Sequence, residues 1–285
     1  MRRIRGVDVS LYQNLTEEIV QALVEEDEVR FAYVRCAVGT TARRDARFRA
    51  NVELFKRYGV PVGPYFFPYP LPGLDPVAQA RLHVSLAEGL GTSIGELAPM
   101  KDYEWPPRET RLKDGTIEQT WKKFGCSAPQ IRGWLEAYDE EVDRLSGCDG
   151  PAYTYPYWAE CVEMWRSPRL TSRPLVLAWY PLKGIVPTDE QLARVPVTRG
   201  WDRITIVQHD GDGGLRLPVS GGDVDFDVML DPADLDRLTG QPREPERTTQ
   251  ADLEALASLA HAGAAGLIAE DEIARYRRER IEQAT

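Results

Sequence analysis

Hydrophobic positions recur with two different periods along most of the chain. Residues 45–58 follow the helical period, because Phe48, Val52 and Phe55 lie four and three residues apart and Gly59 follows as a typical helix-ending residue. Residues 60–67 form a short, mostly apolar run, which is typical of a strand buried on both faces of a parallel sheet. The pattern therefore predicts strands that alternate with helices.

Further predicted elements follow in the same order. Strands are predicted at 5–10, 30–37, 60–67, 99–105, 150–155 and 174–180. Asn14 is predicted to cap a first helix, with Glu17 at capping-box spacing, and Ser127 to cap a long helix that ends at Gly147. Pro76 opens another helix that runs to about Glu88. Strand followed by helix, repeated in this way, indicates a parallel sheet that is either open or closed.

The pattern changes beyond Trp201. Strands are predicted at 203–209, 215–218 and 223–230 around a glycine-rich turn at 210–214, which leaves no room for crossover helices. We therefore expect the last strands to be joined by hairpins. About five β/α units followed by a closing set of strands defines an α/β fold, an irregular TIM-like (β/α)5(β)3 barrel over residues 1–238.

The C-terminal part has a different composition. Residues 239–250 are polar and contain proline, and we interpret them as a linker. Residues 251–285 are predicted to form a short helical hairpin, with Leu253, Leu256 and Leu259 on one arm and the bend at Gly266. Two short helices bury little apolar surface alone, so we expect self-association through them, or packing on the barrel.

Composition excludes several classes of partner. The chain carries 35 basic and 45 acidic residues, a formal charge of −10, and offers no basic patch for nucleic acid or an anionic membrane surface. It contains no run of about eighteen apolar residues that could span a membrane. The basic N-terminus lacks the apolar core of a signal peptide, which predicts synthesis in the cytoplasm without secretion by that route.

Cysteine and histidine usage argues against a metal site built on these residues, although carboxylates alone could still hold a hard cation. The four cysteines are scattered without C-x-x-C spacing, so free thiols are expected. The three histidines are far apart in the sequence and none forms an H-E-x-x-H motif. We therefore predict no cofactor and no catalytic metal.

The stretch 99–105 carries the most informative acidic pair. It ends before Pro106 and Pro107 and is predicted as a strand, so Asp102 and Glu104 share one face with their Cα atoms roughly 6.6 Å apart. Like charges at this distance raise the pKa of one carboxyl, which can then act as a general acid while its partner stays ionised. Alone, the pattern also fits an ordinary solvated sheet face. Asp8 likewise lies near the end of its predicted strand, where barrel enzymes collect reactive groups.

Taken together, these segments resemble glycoside hydrolase family 25, the lysozymes or muramidases common among phage endolysins and bacterial autolysins. The resemblance is carried by Gly6–Gln13, Phe31–Thr40, Val62–Phe67, Asp102–Glu104 and Val224–Asp227, together with Tyr153-Thr154, Leu177–Tyr180 and Gln208. These segments occur in the family's order over roughly residues 4 to 230. Their order and spacing make the match far more specific than any single motif.

The resemblance implies roles for particular residues. Glu104 is implied to be the general acid that protonates the glycosidic oxygen, and Asp102 to orient or support the intermediate. Asp8 and Asp225 are implied to complete an acidic floor. The implied sugar contacts are Tyr65, Tyr153, Trp179 and Gln208. The resemblance also implies retention of configuration, with either a covalent intermediate or attack by the substrate's own N-acetyl group.

Some alternatives stay open at this point. Asp223 or Asp227 would replace Asp225 if the register of the last strand differed, and the aromatic residues could simply pack inside the barrel. Leu11 and Phe66 stand where histidine is frequent in the family, so substrate contacts or the pH profile are expected to differ.

The expected function is hydrolysis of bacterial peptidoglycan between N-acetylmuramic acid and N-acetylglucosamine. The expected setting is a phage endolysin that is made in the cytoplasm and acts on the cell wall after release. A non-catalytic glycan-binding or virion structural protein on the same barrel is the competing interpretation. A chitinase-like hydrolase is a second enzymatic alternative.

Overall fold

The computed structural model describes residues 3–39, 41–88, 97–104, 110–111, 117–118, 126–182, 184–211 and 224–239. Its strands are β1 (Ile4–Val9), β2 (Val29–Val38), β3 (Thr41–Arg44), β4 (Val62–Phe67), β5 (Met100–Asp102), β6 (Thr110–Arg111), β7 (Ile117–Glu118), β8 (Ala152–Thr154), β9 (Leu175–Ala178), β10 (Ile206–Asp210) and β11 (Asp225–Met229). Its helices are α1 (Glu17–Glu25), α2 (Phe48–Arg57), α3 (Pro76–Glu88), α4 (Ala128–Ser146), α5 (Pro156–Cys161), α6 (Pro168–Thr171), α7 (Asp189–Leu192) and α8 (Ala233–Leu238).

Eight of the described strands close into a barrel in the order β1-β2-β4-β5-β8-β9-β10-β11, and β11 pairs back to β1. Neighbouring strands from β1 to β10 are parallel, whereas β11 is antiparallel to both of its neighbours. The carboxyl ends of the parallel strands therefore share one mouth with the first residue of β11. This confirms the prediction of an irregular α/β barrel.

Two hydrophobic clusters are separated by the barrel wall. The outer cluster lies between the strands and the helices, and the inner cluster fills the barrel with aromatic and aliphatic side chains that include Phe31, Tyr33, Tyr65 and Tyr153. Every residue of β4 is buried, as expected for a strand covered on both faces. None of the described helices combines the length and the apolar composition needed to cross a membrane.

Gly6 makes room for an inner aromatic ring, which leads to a stability prediction. A Cβ at Gly6 would lie 2.2 Å from the fully buried ring of Phe31. We expect Gly6→Ala to lower the free energy of unfolding by about 1–3 kcal/mol, because the ring has no free volume to enter. Gly133→Ala is the matched control: a Cβ there meets nothing within 4 Å, so alanine should stabilise α4. Chemical denaturation of both variants measures the difference, and equal effects would contradict the prediction.

The helix ends confirm one capping prediction and correct another. Ser127 caps α4 and forms a capping box with Gln130, and Gly147 ends the helix in the left-handed conformation. The prediction for Asn14 was wrong. Thr16 caps α1 instead, because its side chain accepts a hydrogen bond from the backbone amide of Ile19.

A predicted hairpin and a predicted strand differ from the secondary structure that is observed. β9 and β10 are parallel and are connected by residues 179–205, which contain α7, so the expected hairpin exists only as the antiparallel pair β10–β11. The strand predicted over 99–105 is shorter, since β5 ends at Asp102. The predicted strand 215–218, nearly all of the linker 239–250 and the helical hairpin 251–285 lie outside the described residues.

Candidate active site

Acidic side chains converge at the mouth formed by the carboxyl ends of the parallel strands. Asp8 is the second-last residue of β1, and Asp102 is the last residue of β5. Because β11 runs in the opposite direction, its first residue, Asp225, reaches the same mouth and is the register partner of Asp8. Glu104 follows β5 and is half-buried. The four predicted catalytic carboxylates are thus brought together.

A fifth carboxylate lies deeper in the same cluster. Asp227 points to the barrel interior like Asp225, two residues earlier, because Phe226 and Val228 belong to the outer cluster. Its exposed fraction is 2%, against 5% for both Asp8 and Asp102. Asp225 therefore lies at the mouth and Asp227 below it, whereas Asp223 lies outside the described residues.

Burial and mutual repulsion shift the pKa values of this cluster in one direction. Burial raises the pKa of Asp102 well above its ordinary value, and the charges of Glu104 and Asp8 raise it further. Burial also raises the pKa of Asp8, and the charge of Asp227 raises it further. The mouth can therefore hold protons on carboxyl groups at pH values where an exposed aspartate is ionised.

Gln208 ties the cluster to two tyrosines. Its amide Nε2 donates to Oδ2 of Asp8 over 2.5 Å. Its Oε1 accepts hydrogen bonds from the hydroxyl of Tyr153 over 2.9 Å and from the hydroxyl of Tyr180 over 2.7 Å. These three bonds orient the amide, and the one from Nε2 favours the ionised form of Asp8. Gln208 is thus a structural link within the site.

Arg35 provides a positive charge beside the acids. It extends from β2 next to Tyr65, its register partner on β4, and its Nε donates to Oδ2 of Asp45 over 3.2 Å. Its charge opposes the upward shifts in the pKa values of Asp102 and Asp8. The site therefore combines repelling carboxylates with one guanidinium that favours their ionised forms.

Outward side chains anchor the strand that carries the acid pair. Lys101 is fully buried, and its Nζ lies 2.9 Å from Oδ1 of Asp139 on α4 and 2.5 Å from Oδ1 of Asp143. The hydroxyl of Tyr103 donates to the same Oδ1 of Asp139 over 2.9 Å. Alternation along the chain thus places Lys101 and Tyr103 toward the helix layer and Asp102 toward the mouth.

The structure brings most of the predicted site residues together, with one exception. Tyr65 and Tyr153 belong to the inner cluster, and Gln208 bonds to Asp8. Trp179 does not join them. It continues the series of β9 side chains that point out of the barrel, and it packs against the outer cluster. The next residue, Tyr180, faces the site in its place. The expected contact of Trp179 with the substrate stays a prediction.

Sequence reasoning gave no role to Arg35 and Tyr180, and it kept Asp227 only as an alternative to Asp225. The period-2 alternation of β11 was a usable signal for Asp227, since it shares the face of Asp225. For Arg35 and Tyr180, the sequence did not tell which alternate side chains along β2 and β9 point into the barrel, because both faces of these strands are apolar.

Metal binding receives no support from the described side chains. Among them, no group of three or more histidine, cysteine, aspartate or glutamate residues is arranged to hold a metal ion. What the described carboxylates do offer is a pair of neighbouring acids, Asp102 and Glu104, in a cleft. Such a pair is suited to acid-base chemistry on a neutral polar substrate such as a glycan.

Comparison with known proteins agrees with this class of site. The sequence profile of the family described as "Glycosyl hydrolases family 25" matches residues 7–216. The chain belongs to this family of glycoside hydrolases. No curated protein matches the chain.

Solved structures share the fold. A bacterial lysozyme from Streptomyces coelicolor superposes with a TM-score of 0.62 at 24% identity, over 84% of this chain and 98% of that one. A family GH25 lysozyme from Aspergillus fumigatus gives 0.61 at 20% identity, over 84% of this chain and all 100% of that one. The catalytic domain of endolysin ply40, from a bacteriophage of Listeria monocytogenes, gives 0.59 at 19% identity, over 84% and 98%.

The buried position of Asp227 leads to a prediction about pH. Burial raises its pKa well above the ordinary value, with the Asp225 charge second, and its Oδ1 has no hydrogen-bond partner among the described residues. A raised folded-state pKa gives stability that is present below about pH 3.9 and is lost as the pH rises through the folded-state pKa. We therefore expect Asp227→Asn to stabilise the protein by at least about 1 kcal/mol at pH 7 and to have no such effect near pH 3.

Thermal unfolding between pH 3 and pH 8 tests this expectation. Asp202→Asn, at an exposed position outside the acidic cluster, is the control and should leave the melting temperature unchanged across the range. A loss of stability in Asp227→Asn of equal size at every pH would contradict the prediction, because it would mean that the carboxylate contributes through packing or hydrogen bonds alone.

Proposed function

We propose that the protein is a muramidase that hydrolyses the β-1,4 bond between N-acetylmuramic acid and N-acetylglucosamine in bacterial peptidoglycan. The observation that carries the proposal is the set of carboxylates at one mouth of a family 25 barrel, with Asp102 buried beside Glu104. Solved relatives of the same fold are described as lysozymes and muramidases, which supports the substrate class.

In this proposal Glu104 is the general acid. It lies just beyond the end of β5 and is half-buried, so it can reach a bound glycan while its neighbours keep water partly excluded. Its proton passes to the glycosidic oxygen as the bond to the anomeric carbon breaks. The carboxylate that remains then takes a proton from the incoming water.

In its ionised form, which the charge of Arg35 favours, Asp102 stabilises the positive charge that develops on the sugar. Its Oδ1 is buried and has no hydrogen-bond partner among the described residues, so this oxygen keeps an unused acceptor site. With retention of configuration, Asp102 either bonds to the anomeric carbon or accepts the N–H of an acetamido group that attacks it. Asp8 and Asp225 extend the acidic floor, and Gln208 holds Asp8 in place.

The sugar contacts are proposed for the residues that line the mouth. Tyr65 and Tyr153 present the edge of the inner cluster, and both are less than 10% exposed, so they form the wall of the cleft. The hydroxyl of Tyr153 is already bonded to Gln208. Tyr180, which is 42% exposed, is a further contact beside the expected Trp179.

The biological setting is proposed at a coarser level. An endolysin fits the likeness to the catalytic domain from the Listeria bacteriophage. Such an enzyme is made in the cytoplasm and reaches the wall after release. Self-association through residues 251–285 stays a prediction, to be measured as the mass of the protein in solution with and without these residues.

The direct test is release of reducing ends from purified peptidoglycan. A muramidase exposes N-acetylmuramic acid at the new reducing end, and the anomer of the first product, followed by NMR, reports retention or inversion. Release from chitin oligomers alone would favour the chitinase-like alternative. Binding to peptidoglycan without any release would replace the proposal with a glycan-binding or virion structural protein.

A further inference from the structure

Tyr12 is the most exposed large hydrophobic side chain in the described part of the chain. Its exposed fraction is 78%, and the neighbouring Leu11 is 41% exposed. Both lie in the turn that follows β1, at the mouth of the barrel. An aromatic ring gains free energy from leaving water, so a ring held outside the core is available to a ligand.

The exposed ring has a fixed position because of one guanidinium. Arg35 lies with its Cζ 5.2 Å from the centre of the Tyr12 ring, at a cation–π distance. Asp45 accepts from Arg35 Nε over 3.2 Å, and the same Oδ2 accepts from the backbone amide of Leu11 over 2.6 Å. One carboxylate thus joins the turn to the guanidinium below it.

A second set of hydrogen bonds closes the same turn. Gln13 Oε1 accepts from the backbone amide of Ser10 over 2.8 Å and from its hydroxyl over 3.0 Å. The ring of Tyr12 therefore has one face against a cation, while most of its surface faces solvent. Such preorganisation lowers the entropy that binding must remove.

The location of this ring relates it to the acidic cluster. Arg35 pairs with Tyr65 across β2 and β4, and its charge acts on Asp102. Tyr12 therefore lies at the rim on the β1–β2 side, whereas Glu104 follows β5, three strands further round the barrel. A glycan chain that extends from the acid pair toward β1 and β2 would pass this ring.

We propose that Tyr12 is a stacking platform for one pyranose ring of the glycan, beyond the sugars that contact the acid pair. The apolar C–H face of the sugar packs on the open face of the tyrosine. The inference rests on the proposed function, because it names a further subsite for the same substrate. Its contribution is to affinity and not to bond cleavage, since Tyr12 lies on the β1–β2 side of the mouth and Glu104 follows β5.

The experiment compares Tyr12→Ala with Tyr12→Phe, in wild-type background for turnover and in Glu104→Gln background for binding. The probes are purified peptidoglycan, its soluble glycan fragments of increasing length and N-acetylglucosamine oligomers. We expect Tyr12→Ala to raise KM and Kd about tenfold on long glycans, with the effect confined to KM. Short fragments should show no difference. Tyr12→Phe should keep most of the affinity because it keeps the ring.

Trp165→Ala is the matched control. Trp165 also stacks with a guanidinium, that of Arg199 at 4.4 Å, but it lies in the 3-10 turn next to Met164 of the outer cluster. Removing that ring should leave KM and Kd unchanged. Thermal unfolding of each variant shows whether a change in affinity comes from a loss of fold.

The outcomes separate the two proposals. If the wild type hydrolyses peptidoglycan and Tyr12→Ala keeps the same KM and Kd at every glycan length, the platform is refuted and the muramidase function stands. If the wild type hydrolyses nothing but Tyr12→Ala weakens binding, the platform stands and the hydrolase function is refuted. Equal losses on short and long fragments would also overturn the platform, because they would place Tyr12 at the reacting sugars.

Discussion

Glu104→Gln is expected to slow peptidoglycan hydrolysis about 10²–10⁴-fold, the range that a positioned general acid contributes. Glutamine keeps the size of the side chain but cannot give a proton to the glycosidic oxygen. Removing the charge also relieves the repulsion that raises the pKa of Asp102. The loss should therefore appear in kcat, while binding to the wall is kept. The measurement is the rate of reducing-end release together with cosedimentation with purified peptidoglycan.

Glu53→Gln provides the matched control for this substitution. Glu53 is exposed on α2 and belongs to the helix layer, so the same change of charge there should leave the rate unaltered. Asp102→Asn should also reduce kcat strongly, since the intermediate loses its anionic partner. A Glu104→Gln protein that keeps more than half of the wild-type rate would refute the role of Glu104.

Asp139→Asn is expected to lower the free energy of unfolding by about 3–5 kcal/mol, the range for a buried ion pair that loses one partner. Asp139 is fully buried and accepts from Lys101 and Tyr103 through Oδ1 and from Arg173 through Oδ2. Asparagine removes the charge and turns one acceptor into a donor. The ammonium of Lys101 then stays fully buried, and Asp143 is the one carboxylate within ion-pair distance that remains to it among the described residues.

Chemical denaturation at neutral pH measures this loss, and Asp149→Asn is its control. Asp149 also pairs with Arg173, over 2.6 Å, but its side chain is 82% exposed, so little change is expected there. Equal stabilities for the two variants would contradict the prediction, because burial would then make no difference to the pair.

The pH dependence of the Asp139 effect has the opposite sign to that of Asp227. Burial alone would raise the pKa of Asp139, but Lys101 and Arg173 hold it below the ordinary value. Its contribution is therefore present above about pH 3.9 and is lost as the pH falls through the folded-state pKa. The difference in stability between wild type and Asp139→Asn should shrink as the pH falls. The difference in stability between wild type and Asp227→Asn should appear only as the pH rises.

The buried network behind β5 also bears on the acid pair. A lysine at a strand position that faces the helix layer would destabilise the fold without its carboxylates, because its charge would be buried unpaired. A pair of apolar residues would fill the same space without a buried charge. Lys101 and Tyr103 flank Asp102 in the chain and both bond to Asp139. The end of β5 is thereby anchored to α4 immediately beside Asp102 and Glu104, the proposed catalytic carboxylates.

Several elements of the fold were predictable because their signals are local. The helical spacing of Phe48, Val52 and Phe55 places all three in the core, and Gly147 ends α4 as expected. The acid pair was also evident from a few adjacent residues, although the strand predicted to carry both acids ends at Asp102. The capping residue of α1 was misplaced by two positions, since both Asn14 and Thr16 are suitable caps and only the backbone geometry distinguishes them.

The site itself was only partly predictable, because the inner and outer faces of the barrel strands both carry apolar residues. Trp179 and Tyr180 are adjacent, and either could have faced the substrate. The structure places Trp179 against the outer cluster and lets Tyr180 bond to Gln208. For the same reason Asp225 and Asp227 could not be ranked by depth from their spacing.

By itself the sequence determined the family, from the order and spacing of its motifs. It also determined the alternation of strands and helices and the carboxylates at the ends of β1 and β5, since these depend on neighbouring residues. The tertiary structure alone decided how the mouth is assembled. Closure of the barrel brings Gln208 to Asp8 across 200 residues, and the reversed direction of β11 delivers Asp225 to Asp8. Both faces of these strands are buried, so hydrophobicity does not tell which alternate side chains point into the barrel. Only the pairing of distant strands decides which side chains point inward.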